Sequence, residues 1–201
     1  MTQPFFSLVD RLNALPSEDH RGIEDLIWHT FGVEKAVLAL DMSHFSLSVR
    51  RTGILRYLGL IRRMQILTRP IVGECRGEVI KFEADNLMAV FADASDAVTA
   101  AVRINQALGA GTLQSGAEAY AVGIGIDHGP FLMIPDEDCY GDAVNVAYKL
   151  GEDLARPHEV LITDAARAQL GAEFPYRLVE QQVSISGLEI IAFSVQYPLG
   201  S

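Results

Sequence analysis

The stretch Gly77–Phe91, with the sequence GEVIKFEADNLMAVF, has the pattern of a β-hairpin. Two runs of residue types that favour strands flank a short polar segment, Ala84-Asp85-Asn86. Asp and Asn tolerate the backbone conformations that a tight turn requires. The pattern therefore predicts two strands that meet at a turn, with Asp85 at its tip.

The segments before the hairpin predict one buried strand and several helices. Ala36–Asp41 is a short, almost wholly apolar run that ends in an acid, which is typical of a central strand whose end reaches a site. Apolar residues from Gly53 to about Val72 suit a helix. Residues 4–31 predict one or two amphipathic helices. We therefore expect an N-terminal helical segment over residues 1–34 and the main domain over residues 35–201.

The segments after the hairpin predict a mixture of helices and strands. Ser95 is expected to cap a helix that runs to about Leu108. Gly, Ala and Ser residues then indicate a surface loop over 109–117. The remaining predicted elements are a strand at 119–127, a turn at 128–130, a helix from Asp142, a strand at 158–162, a helix at 163–170, and strands near 176–184 and 188–196. Because hairpins interrupt the alternation of strands and helices, the expected fold class is α+β rather than a doubly wound parallel sheet.

Length and charge limit the possible functions. The chain has 201 residues, about half of them apolar, which suits one globular domain with a substantial core. It has 26 acidic and 16 basic residues, giving a formal net charge of −10. This charge would repel a nucleic-acid backbone, so sequence-independent nucleic-acid binding is not expected. A small phosphate ligand remains possible if metal ions accompany it.

Cysteines and apolar runs exclude other classes of protein. The two cysteines, Cys75 and Cys139, do not form a C-x-x-C motif, so the sequence supports neither a disulfide framework nor a structural zinc site. The N-terminal stretch MTQPFFSLVDRLNAL has no basic region followed by a long apolar core. No run of about 18 apolar residues occurs either. We therefore expect a soluble, cytoplasmic protein.

Two acids are candidates for a metal site. Asp41 ends a predicted strand and Asp85 lies at the tip of a predicted hairpin, so their carboxylates converge if those strands are neighbours in one sheet. Paired carboxylates on rigid strands bind hard divalent cations, and Mg²⁺ keeps substrate phosphates among its other ligands. The spacing alone also fits a turn residue and a strand terminator with no further role.

Lys81 and Asp138 are candidates for contacts with a ligand. Lys81 precedes Asp85 by four positions, or roughly 13 Å along a strand, so the two cannot serve the same few atoms. If both are functional, the ligand is long or the two residues belong to different sites. Asp138 lies in the acidic stretch Asp136–Cys139. A solvated strand lysine and a solvated acidic loop remain the alternatives.

The stretch Tyr140–Leu150, YGDAVNVAYKL, predicts a helix with two polar residues on one face. Asp142 is the expected cap, and Asn145 and Lys149 project together because they are four positions apart. Such a donor pair suits an anion. Lys149 could instead pair with Glu152 at i+3. Neither a Walker motif nor a dinucleotide-binding G-x-G-x-x-G motif occurs, so side chains and metals would have to hold a phosphate.

Three ordered blocks resemble the catalytic domain of the class III adenylate/guanylate cyclases. They are LALDMSHFS (38–46), GEVIKFEADNLMAVF (77–91) and YGDAVNVAYKL (140–150), and the resemblance extends from about Ala36 to Val195. It implies a ferredoxin-like βαββαβ core with an antiparallel or mixed sheet. It also implies a head-to-tail homodimer, with nucleotide sites between subunits and two Mg²⁺ or Mn²⁺ ions per site. The implied reaction converts ATP to 3′,5′-cyclic AMP and pyrophosphate.

The resemblance also implies roles for individual residues. Asp41 and Asp85 match the two metal-binding aspartates, with the Met42 carbonyl nearby. Lys81 and Asp138 resemble the pair that selects adenine. The residues Asn145 and Lys149 match the transition-state asparagine and its companion arginine, respectively.

The sequence departs from the family pattern in three ways. Lys149 replaces the arginine, which keeps the charge but loses the bidentate fork. Ser186 stands where a triphosphate-binding lysine is usual, and the segment between Gly129 and Asp138 is shorter than usual. Two alternative functions therefore stay open. One is a catalytically silent, nucleotide-binding regulatory module, and the other is a cyclase that acts on GTP or a pyrimidine triphosphate.

Overall fold

The computed structural model describes residues 3–42, 53–115, 121–135, 137–185 and 188–199, and it has an α+β architecture. Its helices are α1 (Gln3–Asn13), α2 (Arg21–Phe31), α3 (Ile54–Glu74), α4 (Ala94–Ser115), α5 (Asp142–Tyr148) and α6 (Asp164–Ala168). A one-turn 3₁₀ helix spans Ser17–Asp19, and a π-helix, Lys149–Leu154, continues α5. The strands are β1 (Gly32–Met42), β2 (Gly77–Glu83), β3 (Asn86–Phe91), β4 (Val122–Ile134), β5 (Asp138–Tyr140), β6 (Val160–Thr163), β7 (Arg177–Ile185) and β8 (Leu188–Gln196).

The described strands form one mixed sheet whose first half is the predicted ferredoxin-like core. The order along the sheet is β2-β3-β1-β4-β6-β8-β7, and β5 pairs with β4. The elements β1-α3-β2-β3-α4-β4 follow each other in the βαββαβ pattern, and their strands pair antiparallel. The pairing of β4 with β6 is parallel, which makes the whole sheet mixed. The predicted fold class is therefore confirmed.

The central strand β1 is buried on both of its faces. Leu38 and Leu40 pack in the cluster formed with α3 and α4, whereas Val37 and Ala39 pack against α5 on the other face. Side chains alternate between the faces of a strand, so the odd-numbered Asp41 projects on the α5 side. This explains why the run before Asp41 is almost wholly apolar.

The N-terminal helices pack on the edge of the core that carries β5. Phe5, Ile23 and Ile27 form a cluster with Ile134 at the end of β4. The ring of Phe5 also stacks on Tyr140, with centroids 6.0 Å apart and planes 6° from parallel. The amphipathic pattern of residues 4–31 therefore serves to bury an apolar face against the sheet.

Three local predictions were wrong. Helix α4 continues to Ser115, through the stretch for which the Gly and Ala residues predicted a loop. Strand β4 runs through the predicted turn at 128–130, because these residues pair with Lys35, Ala36 and Glu34 of β1. The third concerns helix starts. Asp93 rather than Ser95 caps α4, accepting from the backbone N–H of Ser95, and Gly141 rather than Asp142 is the N-cap of α5.

None of the helices among the described residues combines the length and the apolar character that crossing a membrane requires.

Candidate active site

The tip of the β2–β3 hairpin presents Asp85 as the sequence predicts. The turn consists of Ala84 and Asp85, and Ala84 takes the left-handed backbone conformation with φ of 50°. The hydroxyl of Tyr57, on α3, donates a hydrogen bond to Asp85 Oδ2 at 3.1 Å. Burial and the neighbouring Asp85 carboxylate raise the pKa of Tyr57. The phenol therefore stays protonated and holds one oxygen of Asp85 in place.

Asp41 lies at the end of β1, where the carboxylates of Asp85, Glu152 and Asp153 influence it. Burial, together with the charges of Asp85 and Glu152, raises the pKa of Asp41 to about 7. The backbone N–H of Met42 opposes this shift by hydrogen bonding to the carboxylate. Asp41 and Asp85 therefore lie within electrostatic reach of each other, as the pairing of β1 with β3 requires.

Close packing of the π-helix brings Glu152 to this group. A Cβ on Gly125 would lie 2.2 Å from the carbonyl oxygen of Ala147, and one on Gly151 would lie 2.7 Å from that of Ala39. Only glycine allows the helix to approach the strands this closely. Glu152 then accepts a hydrogen bond from Asn86 Nδ2 at 2.6 Å. We call Asp41, Asp85 and Glu152 the acidic group.

The acidic group forms no ion pair within the described part of the chain, and the one basic charge that acts on it there is that of Lys149, which opposes the rise that burial causes in the pKa of Glu152. Neither Asp41 nor Asp85 forms an ion pair there. The described ranges also contain no set of three or more His, Cys, Asp and Glu side chains arranged to hold a metal ion. Asp41, near the end of β1, and Asp85, in the hairpin turn, are nevertheless hard oxygen donors whose mutual repulsion is relieved by a cation. Their chemistry fits a divalent ion that takes its other ligands from a substrate.

Lys81 and Asp138 lie together at a second location. Lys81 Nζ donates to Asp138 Oδ2 at 2.9 Å, and the backbone N–H of Cys139 donates to Asp138 Oδ1 at 2.8 Å. Both side chains are about three-quarters buried, with exposed fractions of 27% and 24%. Burial lowers the pKa of Lys81, but its hydrogen bonds to Asp138 and Glu83 outweigh that effect and raise it. The lysine is therefore a fixed cation.

Glu83 and Tyr148 complete the surroundings of Lys81. Glu83 Oε2 lies 3.1 Å from Lys81 Nζ, on the same face of β2. Burial raises the pKa of Tyr148, on α5, to about 12, and the charge of Lys81 opposes that shift. We call Lys81, Asp138 and Glu83 the ion-paired group. The two carboxylates neutralise the ammonium and leave the group one net negative charge.

Asn145 and Lys149 lie on the exposed face of α5 and its continuation. Lys149 Nζ forms an ion pair with Asp153 at 2.8 Å, not with Glu152, the alternative partner that the sequence suggested. This pairing raises the pKa of Lys149. Lys149 and Asp153 line a cavity of about 180 Å³ with Leu154, Ser184 and Ile185. In the described part of the chain, neither Asn145 nor Lys149 hydrogen-bonds to the acidic group.

The structure thus divides the predicted site residues into three sets within one chain. Asp41 and Met42, at the end of β1, lie beside Asp85 at the hairpin tip. Lys81, four residues before Asp85 on β2, pairs with Asp138, and the remaining pair is exposed on α5. Ser186 and the second half of the block 38–46 lie outside the described residues.

Sequence reasoning missed three side chains at these locations. Glu83 was detectable, since residues i and i+2 of a strand share a face and Lys81 was already a candidate. Glu152 was considered only as a partner of Lys149. Tyr57 gave no signal, because nothing in its helical segment indicates contact with a hairpin 28 residues later.

Comparison with known proteins relates this geometry to cyclases. No family model matches the chain. The protein named "Putative adenylate cyclase 3" of Rhizobium meliloti (strain 1021) is 32% identical over 130 residues, which are 64% of this chain and 22% of that protein. The chain therefore spans about a fifth of the length of that relative.

Solved structures match over most of the chain. The adenylate/guanylate cyclase/hydrolase from Silicibacter pomeroyi is 25% identical with a TM-score of 0.71, covering 83% of this chain and 98% of that one. The catalytic core of a rhodopsin-guanylyl cyclase with converted specificity, solved with ATPαS, is 18% identical with a TM-score of 0.69, covering 82% and 98%. The resemblance seen in the three sequence blocks is thereby confirmed, and the chain has the fold of the class III adenylate/guanylate cyclase catalytic domain.

Proposed function

We propose that this chain is a metal-dependent nucleotidyl cyclase that converts ATP to 3′,5′-cyclic AMP and pyrophosphate as a homodimer. The observation that carries the proposal is the presence of two opposite charge arrangements on one hairpin. Among the described residues Asp41 and Asp85 form no ion pair, whereas the ion-paired group offers a fixed donor and a fixed acceptor. A nucleoside triphosphate with divalent ions needs both kinds of environment. We assign the activity to residues 35–201.

The acidic group is the proposed metal end of the site. Asp41, Asp85 and the carbonyl of Met42 would hold two divalent ions, Mg²⁺ or Mn²⁺. When bound, such ions neutralise the triphosphate and make the ribose 3′-hydroxyl more acidic, which favours its attack on the α-phosphorus. Tyr57 contributes by fixing one oxygen of Asp85 through its hydrogen bond. The carboxylates are thus positioned before any substrate arrives.

The ion-paired group is the proposed adenine end. Adenine presents a ring-nitrogen acceptor beside an amino donor, and these complement a lysine donor and an aspartate acceptor. Guanine presents the reverse arrangement at the same edge. The second oxygen of Asp138 is held by the backbone of Cys139, so the acceptor does not need to be ordered upon binding.

Asn145 and Lys149 are the proposed donors to the α-phosphate. Negative charge increases on the phosphate oxygens as the 3′-oxygen attacks and pyrophosphate leaves, and donors placed there stabilise it. Both side chains are exposed, and in the described part of one chain neither hydrogen-bonds to Asp41 or Asp85, although the charge of Lys149 acts on Glu152. A second copy of the chain would bring such a donor pair to Asp41 and Asp85. A two-fold interface then produces two equivalent sites.

The direct test is product formation by the purified full chain. The protein is incubated with Mg²⁺ or Mn²⁺ and each of the four nucleoside triphosphates, and cyclic product and pyrophosphate are measured. Cyclic AMP formation that is lost in Asp41→Ala supports the proposal. Lys149→Arg should preserve or raise turnover, because arginine keeps the charge and adds a bidentate donor. If a different cyclic nucleotide forms instead, its parent triphosphate rather than ATP is the substrate.

The pairing of Lys149 with Asp153 favours one alternative. A lysine that its own chain neutralises is less available to a phosphate, which fits a catalytically silent module that binds nucleotide and regulates a partner. Nucleotide binding without turnover for any triphosphate or metal would establish that alternative. In that case Lys149→Arg would not create activity.

A further inference from the structure

Lys81 contacts two carboxylates, and only one of them is shielded. Asp138 is fixed by the backbone of Cys139 and is 24% exposed, whereas the side chain of Glu83 is 70% exposed. Lys81 and Glu83 share one face of β2 because they are two positions apart. A register shift between Val79 and Lys81 determines which residues of β3 pair with this part of β2. The two acceptors thus approach the ammonium from different elements.

This arrangement leaves one N–H of Lys81 in a defined direction. A lysine ammonium has three N–H donors and rotates freely about its last C–N bond. Lys81 Nζ donates a hydrogen bond to Asp138 at 2.9 Å, and its ion pair with Glu83 places a second acceptor 3.1 Å away. An acceptor on a second side restricts the rotation of the ammonium. With Asp138 alone, the ammonium would rotate about that single hydrogen bond.

We propose that Glu83 is a positioning residue for base recognition, since it orients the remaining N–H of Lys81 toward the acceptor atom of the purine. This inference rests on the proposed function, because it takes Lys81 and Asp138 as the pair that reads the base. Glu83 itself does not contact the base. It acts by restricting the rotation of Lys81 and therefore influences binding of the nucleotide rather than the chemical step.

The test compares charge-matched variants of β2. Glu83→Ala removes the acceptor, Glu83→Gln keeps an acceptor oxygen without the charge, and Glu78→Ala removes an exposed carboxylate of the same strand that forms no ion pair among the described residues. KM and kcat for ATP and GTP are measured with saturating Mn²⁺. Circular dichroism melting checks that each variant folds.

The expected result is a split between KM and kcat. Glu83→Ala should raise KM for ATP about two- to fivefold, the size expected for an exposed ion pair, and leave kcat unchanged. Glu83→Gln should show a smaller rise, and Glu78→Ala none. The effect on GTP should be smaller, because guanine presents its acceptor at a different place relative to the lysine. The preference for ATP over GTP therefore falls.

Other outcomes separate this inference from the proposed function. If the wild type forms product and Glu83→Ala has the KM of Glu78→Ala, or a lower one, Glu83 does not position Lys81 and the inference is wrong. If the wild type forms no product, the cyclase assignment fails instead. The inference is then tested by calorimetry, in which the Kd for ATP should rise two- to fivefold in Glu83→Ala only. An equal Kd in both variants overturns it.

Discussion

The acidic group and the ion-paired group, which share the β2–β3 hairpin, arrange charge in opposite ways. At the tip, Asp85 joins Asp41 and Glu152, neither Asp41 nor Asp85 forms an ion pair in the described part of the chain, and the pKa of Asp41 rises to about 7. On β2 itself, Lys81 lies between two carboxylates at 2.9 and 3.1 Å. Only a few residues of the hairpin separate these two groups. In the ion-paired group the protein supplies partners of opposite charge, whereas in the acidic group like charges face each other.

This difference indicates which kind of ligand the acidic group and the ion-paired group would each bind. A group of like charges is destabilised in the free protein and is relieved by a cation. A compensated group is stable in the free protein, and its remaining donors and acceptors suit a neutral, polar ligand such as a base. The acidic group is therefore expected to respond to divalent ions and pH, and the ion-paired group to the identity of the nucleotide.

The largest expected effect is that of Asp41→Asn. This variant removes a proposed metal ligand, so cyclic AMP formation should fall about a thousandfold, which corresponds to several kcal/mol of transition-state stabilisation. In EDTA, however, its melting temperature should rise, because a half-buried carboxylate beside other carboxylates is replaced by a neutral amide of similar shape. Product assays and thermal melts measure the two effects.

Asp138→Asn is the matched change in the ion-paired group and should shift stability in the other direction. It removes the shielded charge that pairs with Lys81, so its melting temperature in EDTA should fall by about 2–4 °C, the equivalent of roughly 1 kcal/mol in a chain of this size. Its KM for ATP should rise more than its kcat falls. If both variants moved the melting temperature in the same direction, the contrast between the two groups would be wrong.

The dependence of stability on pH should differ between the wild type and Asp41→Asn. Asp41 binds a proton more readily in the folded protein, with a pKa of about 7, than at its usual value of 3.8. Its contribution to the free energy of unfolding should therefore decrease as the pH rises from about 4 to 7 and stay constant above that. Denaturant titrations in EDTA at several pH values measure this.

In that experiment Asp41→Asn is itself the control. As the pH rises, the free energy of unfolding of the wild type should decrease relative to that of Asp41→Asn. Added Mn²⁺ should reverse the trend for the wild type only. A difference that is constant with pH would show that Asp41 titrates normally.

Sequence patterns predicted the features that follow from the alternation of apolar and polar residues or from a single residue type. The alternation in Gly77–Phe91 placed the hairpin and its tip, and the apolar run before Asp41 placed a buried strand. Both signals come from burial, which imposes a fixed period on a strand. The three blocks then predicted the fold, because their order along the chain is more specific than any one of them.

Other features gave no local signal or a misleading one. The turn was expected to use the tolerance of Asp and Asn, yet Ala84 takes the positive φ. Gly and Ala residues after Leu108 indicated a loop, but α4 continues to Ser115. Glu152 reaches the acidic group only because Gly125 and Gly151 let the π-helix approach the sheet. None of these contacts is encoded within a few neighbouring residues.

The smallest expected effect concerns Lys149 and its partner. The sequence suggested Glu152 as a partner, but the wider turns of the π-helix align residue i+4 with Lys149, so that Asp153 forms the ion pair. This pair is exposed, and exposed pairs contribute little to stability. Asp153→Asn should therefore leave the melting temperature almost unchanged. Asp164→Asn, which breaks the exposed pair with Arg167, is the matched control.

Activity distinguishes the two variants although stability does not. If Lys149 donates to a phosphate, Asp153 competes with the nucleotide for it, and Asp153→Asn should lower KM for ATP by about two- to threefold, as expected for an exposed pair. Asp164→Asn should leave KM unchanged, because its pair lies on α6. A higher KM in Asp153→Asn would mean that Asp153 positions Lys149 as Glu83 is proposed to position Lys81. The ion pair on the π-helix would then resemble the ion-paired group rather than oppose substrate binding.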